Sequence, residues 1–378
     1  MPNSNPRKAL LATFAGLTLL LAACNPESNS AAAPGSSLSE MVSTAQRAAA
    51  VPGLVAAVIS STDIQTAAAG LRKVGSSAVL ATADRMHLGS NIKAMTATLV
   101  ATLVENGVLR WNTTITEVFP DLAVSMRPEY RAVTIEQLLA HRGGVLPLED
   151  LASLAQLPPL PGDAVQARVA LTAWLLQQPS SVVPGADSLY SNAGYVVAAA
   201  MLERLTGQRF EELLTARVLR PLGIDPKFDW PAAADVSQPW GHERIAGQWV
   251  ANDPNAAANR IPAFLTPAGN LSLGVGDYAK FVQRHLRGLR GAAELISAQD
   301  YQRLHTPIGR YALGWVVATA DGVRTSAHDG TAGTFYALVA IRPERDRAVV
   351  VLVNAYSADA ANAANTLALQ LLDRGQLP

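Results

Sequence analysis

Apolar residues follow strand-like patterns near both ends of the chain and a helix-like pattern in its middle. Residues 54–60 and 348–353 are short, mostly apolar runs with β-branched side chains, which are typical of buried strands. In contrast, Ile92–Glu105 places apolar residues three and four positions apart, and Asn106-Gly107 ends the run. That spacing predicts a helix that stops at the glycine.

The other elements continue this division. Helical spacing or composition predicts further helices over residues 39–50, 134–140, 164–178, 193–205, 209–219, 276–286 and 358–372. Short runs of strand-forming residues predict strands at residues 63–66, 311–318, 323–328 and 334–341. Residues 231–267 lack periodicity, which predicts long surface loops.

Hairpin strands at both ends favour one sheet built from both termini, because antiparallel strands pair without crossover helices. The sequence therefore predicts an α+β fold, with an antiparallel sheet flanked by N- and C-terminal helices and an inserted all-helical subdomain. We expect a single domain over residues 38–378. Its sheet would come from about residues 38–89 and 290–378, and the helical insert from about residues 90–289.

The N-terminal segment carries signals for export. A basic Arg7-Lys8 start precedes a mostly apolar run over residues 9–23, which is too short to span a bilayer and suits a signal-peptide core. The run ends Leu21-Ala22-Ala23-Cys24, which resembles the lipobox of bacterial lipoproteins, in which the cysteine is lipidated. An ordinary secretory signal with an unrelated cysteine, or a membrane anchor, is the alternative.

This resemblance implies a location for the protein. Residues 1–23 would be the lipoprotein signal peptide, and residues 24–37 would be the lipidated Cys24 and a flexible tether rich in Ser, Asn and Ala. Asn25 stands where an aspartate would imply retention in the inner membrane. We therefore expect an exported protein, lipid-anchored in the cell envelope, in the outer membrane and facing the periplasm.

Composition excludes some function classes. Lys+Arg and Asp+Glu are both 30, so the charge balance gives no argument for nucleic acid. Cys24 is the single cysteine, so the mature domain has neither a disulfide nor a cysteine-ligated metal. The sequence also contains no metal-ligand cluster and no phosphate loop, so we expect no cofactor.

Ser90 and Lys93 are the first candidates for chemistry. They lie three positions apart at the start of Ile92–Glu105, so they share a helical face. A serine at a helix N-terminus lies beside unpaired backbone N–H groups, and a neutral lysine one turn later can accept its proton. Arginine supplies most cations of this chain but cannot act as that base. The alternative is a helix cap beside a solvated lysine.

Tyr190 and Asn192 form a second candidate pair. They follow a Pro184-Gly185 turn and precede a predicted helix. A phenol can carry a proton if a nearby ammonium lowers its pKa, and an amide offers both a donor and an acceptor to a substrate. The alternative is a helix cap with a half-buried tyrosine.

A third candidate, His328-Asp329-Gly330-Thr331, lies at the end of a predicted strand. Glycine lets the backbone approach a ligand closely, and the N–H of Thr331 could pair with that of Ser90 as an oxyanion hole. His141-Arg142-Gly143 has the same His-x-Gly form. Because it closes a short predicted helix, we interpret it as a helix C-terminal stop.

The order Ser-x-x-Lys, Tyr-x-Asn, His-x-Gly resembles the serine β-lactamase and penicillin-binding-protein superfamily. Within it, the chain is most similar to the branch of class C β-lactamases, D-alanyl-D-alanine carboxypeptidases and related esterases. Segments between the motifs agree, including Glu105-Asn106-Gly107, Pro120-Asp121 and Pro221-Leu222-Gly223. The resemblance extends from about Ser39 to the C-terminal helix.

The resemblance implies a role for each candidate. Ser90 would be the nucleophile that forms an acyl-enzyme, Lys93 its activating partner and Tyr190 the proton carrier. Asn192 would orient Lys93 and the acyl amide of the substrate. The implied substrate-binding residues are Asn192, His328, Gly330 and Thr331. Whether Lys93 or Tyr190 is the first base stays open at this stage.

The third motif departs from the β-lactamase pattern of Lys-Thr-Gly or Lys-Ser-Gly. His328 replaces that lysine, and a histidine is only partly charged at about pH 7. Asp329 would weaken the positive field further if its side chain pointed inward. We therefore expect β-lactams, which carry a carboxylate, to be handled poorly. Arg142 also departs from the Leu-Thr-His-Thr-Ser-Gly of relatives, and the sequence suggests no role for it.

These observations predict a serine hydrolase that acts through an acyl-enzyme on Ser90 and cleaves a small ester or amide. An esterase or D-amino-acid peptidase is favoured over an efficient β-lactamase. A class C-like β-lactamase, or a penicillin-binding receptor without turnover, is the alternative. The expected partners are a small ester, peptide or β-lactam substrate and, through the lipid anchor only, the membrane.

Overall fold

The computed structural model describes residues 36–373 of the chain. The predicted signal peptide over residues 1–23, Cys24 and most of the predicted tether lie outside the described residues. The described chain begins at a capped helix start. The hydroxyl of Ser37 accepts the backbone N–H of Glu40, and the Glu40 carboxylate accepts that of Ser37, which is a capping box.

An antiparallel sheet of six strands forms the centre of the fold. The strands of the described chain are β1 (Gly53–Ile59), β2 (Ile64–Gly70), β3 (Arg85–His87), β4 (Gly241–Ile245), β5 (Gln248–Asn252), β6 (Ser272–Gly274), β7 (Val316–Ala320), β8 (Val323–Thr331), β9 (Tyr336–Arg342) and β10 (Arg347–Val353). The order in the sheet is β2-β1-β10-β9-β8-β7, so the N-terminal hairpin pairs with the C-terminal strands. The predicted antiparallel sheet built from both termini is confirmed.

Helices cover both faces of this sheet. The α-helices of the described chain, several of them single turns, are α1 (Leu38–Ala48), α2 (Ile92–Glu105), α3 (Ile115–Val118), α4 (Ile135–Leu139), α5 (Leu151–Leu154), α6 (Ala164–Leu175), α7 (Asn192–Thr206), α8 (Phe210–Leu214), α9 (Thr266–Gly269), α10 (Val275–Leu289), α11 (Ala298–Leu304) and α12 (Ala358–Asp373). The terminal helices α1 and α12 share one core with the sheet, and α2, α7 and α10 belong to the core on the other face.

Strand β1 shows why helices must cover both faces of the sheet. Its side chains alternate between the two cores: Leu54 and Val58 belong to the core under α1 and α12, whereas Val55 and Ile59 belong to the larger core. Alternation follows from the two-residue period of a strand. A strand that is apolar at every position therefore predicts a sheet buried on both sides.

Several elements differ from the sequence predictions. Residues 231–267, predicted as loops, include the hairpin of β4 and β5, in which only Gly241 and His242 are buried, so that its strands lack an apolar pattern. Helix α11 was missed. The prediction over residues 209–219 splits into α8 and a π-helical turn, Thr215–Leu219.

The segment between β3 and α2 joins the helical part to the sheet. Strand β3 pairs with β6, with Met86 opposite Leu273, and a 3₁₀ turn over Gly89–Asn91 leads directly into α2. Helix α2 is buried along nearly its whole length, from Ile92 to Leu103. No helix within residues 36–373 combines the length and the apolarity needed to cross a bilayer.

Candidate active site

Ser90 lies in the 3₁₀ turn that precedes α2, against the end of β8. Two glycines permit this contact. A Cβ atom on Gly89, which has a φ of +50°, would lie 2.5 Å from the backbone nitrogen of Thr331. A Cβ atom on Gly330 would lie 2.6 Å from the backbone nitrogen of Ser90. The close packing of these two backbones therefore requires glycine at both positions, and it brings the N–H groups of Ser90 and Thr331 into one region.

Lys93 is fully buried and holds three polar contacts. Its Nζ lies 3.0 Å from Ser90 Oγ, 2.7 Å from Asn192 Oδ1 and 2.6 Å from the backbone oxygen of Ala268. Burial lowers the pKa of Lys93 well below its usual value, and the charge of Glu149 opposes part of that shift. Burial thus favours the neutral form of this amine beside the serine.

Asn192 is fixed from its other side. It is the first residue of α7, whose cap is Ser191: the hydroxyl of Ser191 accepts the N–H of Gly194 at 3.0 Å. The side-chain amide of Asn192 donates to the backbone oxygen of Leu148 at 3.0 Å, and its backbone N–H donates to that of Pro147. The oxygen Oδ1 is thereby oriented toward Lys93.

Tyr190 is half-buried beside Lys93 and Ser90. Its ring centroid lies 4.8 Å from Lys93 Nζ. Burial raises the pKa of Tyr190 well above its usual value, and a side-chain hydrogen bond with Ser90 opposes that shift. The expected lowering of this pKa by an ammonium is therefore not found, because burial dominates.

His141 is a residue of the site that sequence reasoning missed. It follows α4 with a φ of +58°, so it does end that helix, as predicted. However, its ring also lies 4.2 Å from that of Tyr190 and 4.5 Å from that of Tyr311, and its Nδ1 accepts the backbone N–H of Ser191 at 3.0 Å. No spacing in the sequence signals these contacts, because they arise only when α4 packs against the segment that carries Tyr190.

The expectation of a partly charged His328 is wrong. The ring is buried, and burial is the main cause that lowers the pKa of His328 to about 3. Its Nδ1 lies 2.5 Å from the backbone oxygen of Asp329, so this nitrogen carries the proton and donates it. At neutral pH, His328 therefore contributes no positive charge to the site.

Asp329 does not point inward. Strand β8 continues to Thr331, beyond the predicted end at residue 328, so successive side chains alternate between the faces of the sheet. Asp329 accepts the hydroxyl of Tyr336 at 3.2 Å, and Tyr336 belongs to the core under α12. Burial raises the pKa of Asp329 to about 6. The side chain of Thr331 accepts the backbone N–H of Gly333, so only its backbone faces Gly89.

The structure thus brings Ser90, Lys93, Tyr190 and Asn192 into direct contact and packs Gly330 and Thr331 against the serine turn. Within the described residues, no group of three or more His, Cys, Asp or Glu side chains is suited to a metal ion. This sheet with its flanking helices defines a protein of the β-lactamase and transpeptidase-like class.

Comparison with known families confirms that class. Residues 38–373 match the family described as Beta-lactamase, so the chain belongs to that family, which is part of a superfamily of serine hydrolases. The resemblance inferred from the three motifs is therefore confirmed.

Individual relatives are distant. Penicillin-binding protein 4 of Amycolatopsis lactamdurans is 27% identical, over 80% of this chain and 81% of its own length. Unguisins hydrolase ungD' of Aspergillus campestris is also 27% identical, over 86% of this chain. The chain spans only 62% of that second relative.

Solved structures show the same fold. The octameric penicillin-binding protein homologue from Pyrococcus abyssi has a TM-score of 0.72 at 22% identity, covering 88% of this chain and 76% of its own. SurE has a TM-score of 0.72 at 23% identity, covering 90% of this chain and 77% of its own.

Proposed function

We propose that this protein cleaves small esters or amides through an acyl-enzyme on Ser90. One observation carries the proposal: the buried amine of Lys93 lies 3.0 Å from Ser90 Oγ, in surroundings that favour its neutral form. A serine hydroxyl is a weak nucleophile at neutral pH and needs an adjacent base. A neutral amine within hydrogen-bond reach is such a base.

We assign the first proton transfer to Lys93. As a neutral amine it directs its two N–H groups to Asn192 Oδ1 and Ala268 O, which leaves its lone pair for the hydroxyl proton of Ser90. Tyr190, whose pKa is raised, starts as a phenol and cannot be the first base. The opposite pKa directions of the two residues support this order of events.

Tyr190 completes the acylation of Ser90 as an acid. It donates its proton to the leaving oxygen or nitrogen while Lys93, now an ammonium close to the phenol ring, stabilises the resulting phenolate. Proton transfer from Lys93 to Tyr190 then restores both groups. The backbone N–H groups of Ser90 and Thr331 stabilise the oxyanion of the tetrahedral intermediate.

The neutral His328 supports substrates without a carboxylate beside the scissile bond, such as esters and amides, over β-lactams. A β-lactam carries a carboxylate, and a neutral imidazole offers it no ionic partner. Relatives named as a penicillin-binding protein and as a hydrolase support acyl transfer in general. An esterase or a D-amino-acid peptidase is therefore our preferred assignment.

The test is a comparison of substrates. Purified protein and its Ser90→Ala variant are assayed on a p-nitrophenyl ester, a chromogenic cephalosporin and a D-alanyl-D-alanine peptide. We expect Ser90-dependent turnover of the ester or the peptide, at rates above that of the cephalosporin. Absence of Ser90-dependent turnover on all three would refute the proposal, and a stable penicillin adduct on Ser90 would indicate a receptor instead.

We also propose that the protein is exported and anchored in the cell envelope by lipid on Cys24. The basic start, the apolar run and the small residues before the cysteine support this location. Metabolic labelling with a radioactive fatty acid tests it. We expect label in the wild-type protein and none in Cys24→Ser, and unlabelled wild-type protein would contradict the proposal.

A further inference from the structure

Within residues 36–373, none of the cations already assigned to the site is available for a substrate carboxylate. Burial favours the neutral form of Lys93, whose amine already contacts three polar atoms, and His328 is neutral. The guanidinium of Arg142 donates to the backbone oxygen of Gly185, which holds the segment before Tyr190 in place. The basic side chains Lys93, His328 and Arg142 are therefore either in surroundings that disfavour a charge or already bonded to the protein itself.

Glu149, in contrast, is a carboxylate at the same site. It follows Leu148, which has a φ of +51° and whose backbone oxygen accepts the side-chain amide of Asn192 at 3.0 Å. Asn192 in turn contacts Lys93. Glu149 is thus one residue from the carbonyl group that orients the polar centre of the site.

The side chain of Glu149 has no structural task in the described part of the chain. It is half-buried, and no hydrogen bond or ion pair involves its carboxylate within residues 36–373. Its neighbour Asp150 is different: it is exposed and accepts the backbone N–H of Ser153 at 2.8 Å. A half-buried carboxylate without a partner costs free energy, which an ionic partner in the bound state would offset.

The charge of Glu149 reaches the reacting groups. It raises the pKa of Lys93 against the larger effect of burial, and it adds to the raised pKa of Tyr190. Burial is also the main cause of the raised pKa of Glu149 itself. A cation bound beside Glu149 would favour its charged form, and it would lie close to the bond that is cleaved.

We propose that Glu149 binds the ammonium group of the substrate, so that the preferred acyl donors are esters or amides of amino acids and peptides with a free N-terminus. This proposal rests on the hydrolase function proposed above. An α-ammonium lies two bonds from the carbonyl carbon that Ser90 attacks, so a carboxylate near Lys93 is within its reach. Charge-assisted hydrogen bonds of this kind are among the strong ones in proteins.

The competing outcome is recognition of a carboxylate by Arg310. This residue is exposed at the tip of the turn between Ile308 and Tyr311, and Tyr311 packs on His141. If Arg310 were the recognition residue, substrates with a free carboxylate would be preferred, and Arg310→Gln would remove that preference.

The experiment compares alanine p-nitroanilide with N-acetylalanine p-nitroanilide, each as both enantiomers. The quantity measured is the ratio of kcat/KM for the free amine to that for the N-acetyl compound. We expect Glu149→Gln to lower this ratio about tenfold, since hydrogen bonds to charged groups have about that effect. The ratio cancels any general effect of the substitution on Lys93.

The matched control is Glu212→Gln. It makes the same chemical change on an exposed glutamate of α8, and it should leave the ratio unchanged. An unchanged ratio in Glu149→Gln would overturn the inference, while Ser90-dependent hydrolysis of either compound would leave the proposed function intact. A preference for carboxylate-bearing substrates that depends on Arg310 would also overturn it.

A binding measurement separates the two proposals if neither anilide is hydrolysed. Calorimetry on the Ser90→Ala protein measures binding of alaninamide, which carries the ammonium but needs no turnover. We expect Glu149→Gln in this background to weaken binding about tenfold. Equal affinity in both proteins, or no binding in either, would refute the role of Glu149 without reference to catalysis.

Discussion

Two fully buried basic side chains show how one fold can hold an inert group and a reactive one. Arg168 on α6 faces carboxylates: its guanidinium contacts Glu203 at 2.6 Å and Glu211 at 3.1 Å. Burial opposes its charge, but these partners outweigh burial and raise the pKa of Arg168. Lys93 faces only a hydroxyl, an amide and a backbone carbonyl, so burial lowers its pKa.

The difference teaches that burial alone does not decide the charge of a side chain. Arg168 joins α6 to α7 and α8 as a permanent ion, and it donates as well to the backbone oxygen of Ala263. Lys93 is equally buried, but within residues 36–373 no carboxylate contacts its amine, so it is kept as a base. The groups around each basic side chain therefore decide whether it stabilises the fold or takes part in catalysis.

The substitution with the largest expected effect is Lys93→Arg, which gives the active site a permanent positive charge. We expect kcat for a p-nitrophenyl ester to fall about 10⁴-fold, because arginine cannot accept the proton of Ser90. Steady-state kinetics measure the effect. Lys93→Met, which is uncharged and of similar length, checks that the loss does not arise from poor folding. A folded Lys93→Arg protein with a rate within tenfold of wild type would contradict our mechanism.

A second substitution removes the buried cation Arg168, which stabilises the fold. Arg168→Met should lower the free energy of unfolding by about 3–5 kcal/mol, because Glu203 would stay buried without its partner. Urea denaturation measures this loss. Arg209→Met, which removes an exposed ion pair with Asp163, is the control and should cost less than about 1 kcal/mol. Equal costs for the two variants would show that the buried cluster does not stabilise the fold.

A third substitution gives Lys93 the kind of partner that Arg168 has. In the wild type, the active neutral amine is present above the pKa of Lys93 and is lost as the pH falls through it. Asn192→Asp puts a carboxylate near Nζ and should raise that pKa, because a nearby opposite charge favours the ammonium. The acid limb of the profile of kcat/KM against pH should therefore move to higher pH.

The control for this profile is Asn192→Leu, which removes the amide without adding charge. It should reduce the rate but leave the acid limb below that of Asn192→Asp. If Asn192→Asp left the limb in its wild-type position, Lys93 would not be the group whose ionisation limits activity.

The sequence predicted the members of the reactive cluster better than their charges. The spacing of Ser90 and Lys93, and of Tyr190 and Asn192, identified residues that the structure brings into contact. Their pKa directions depend on burial and on groups distant in the chain, which no local pattern encodes. For the same reason, the partial charge expected of His328 was wrong.

Elements with few apolar residues were harder to predict from the sequence. In the hairpin of β4 and β5 only Gly241 and His242 are buried, so its residues need not alternate between apolar and polar. Helix α11 did have a local signal, because Ser297 caps it by accepting the N–H of Asp300. That signal was overlooked because the helix has few apolar residues.

One of the three atoms that hold Lys93 belongs to no side chain. The backbone oxygen of Ala268 lies in the second half of α9, a single helical turn, and the last carbonyl groups of a helix lack helical partners and so are free to accept. Its neighbour Pro267 likewise accepts the hydroxyl of Thr96 through its backbone oxygen. Any residue at position 268 that keeps the path of the chain offers the same oxygen. A designer who wished to transplant this lysine base into another scaffold would therefore have to copy a stretch of backbone as well as a set of residues.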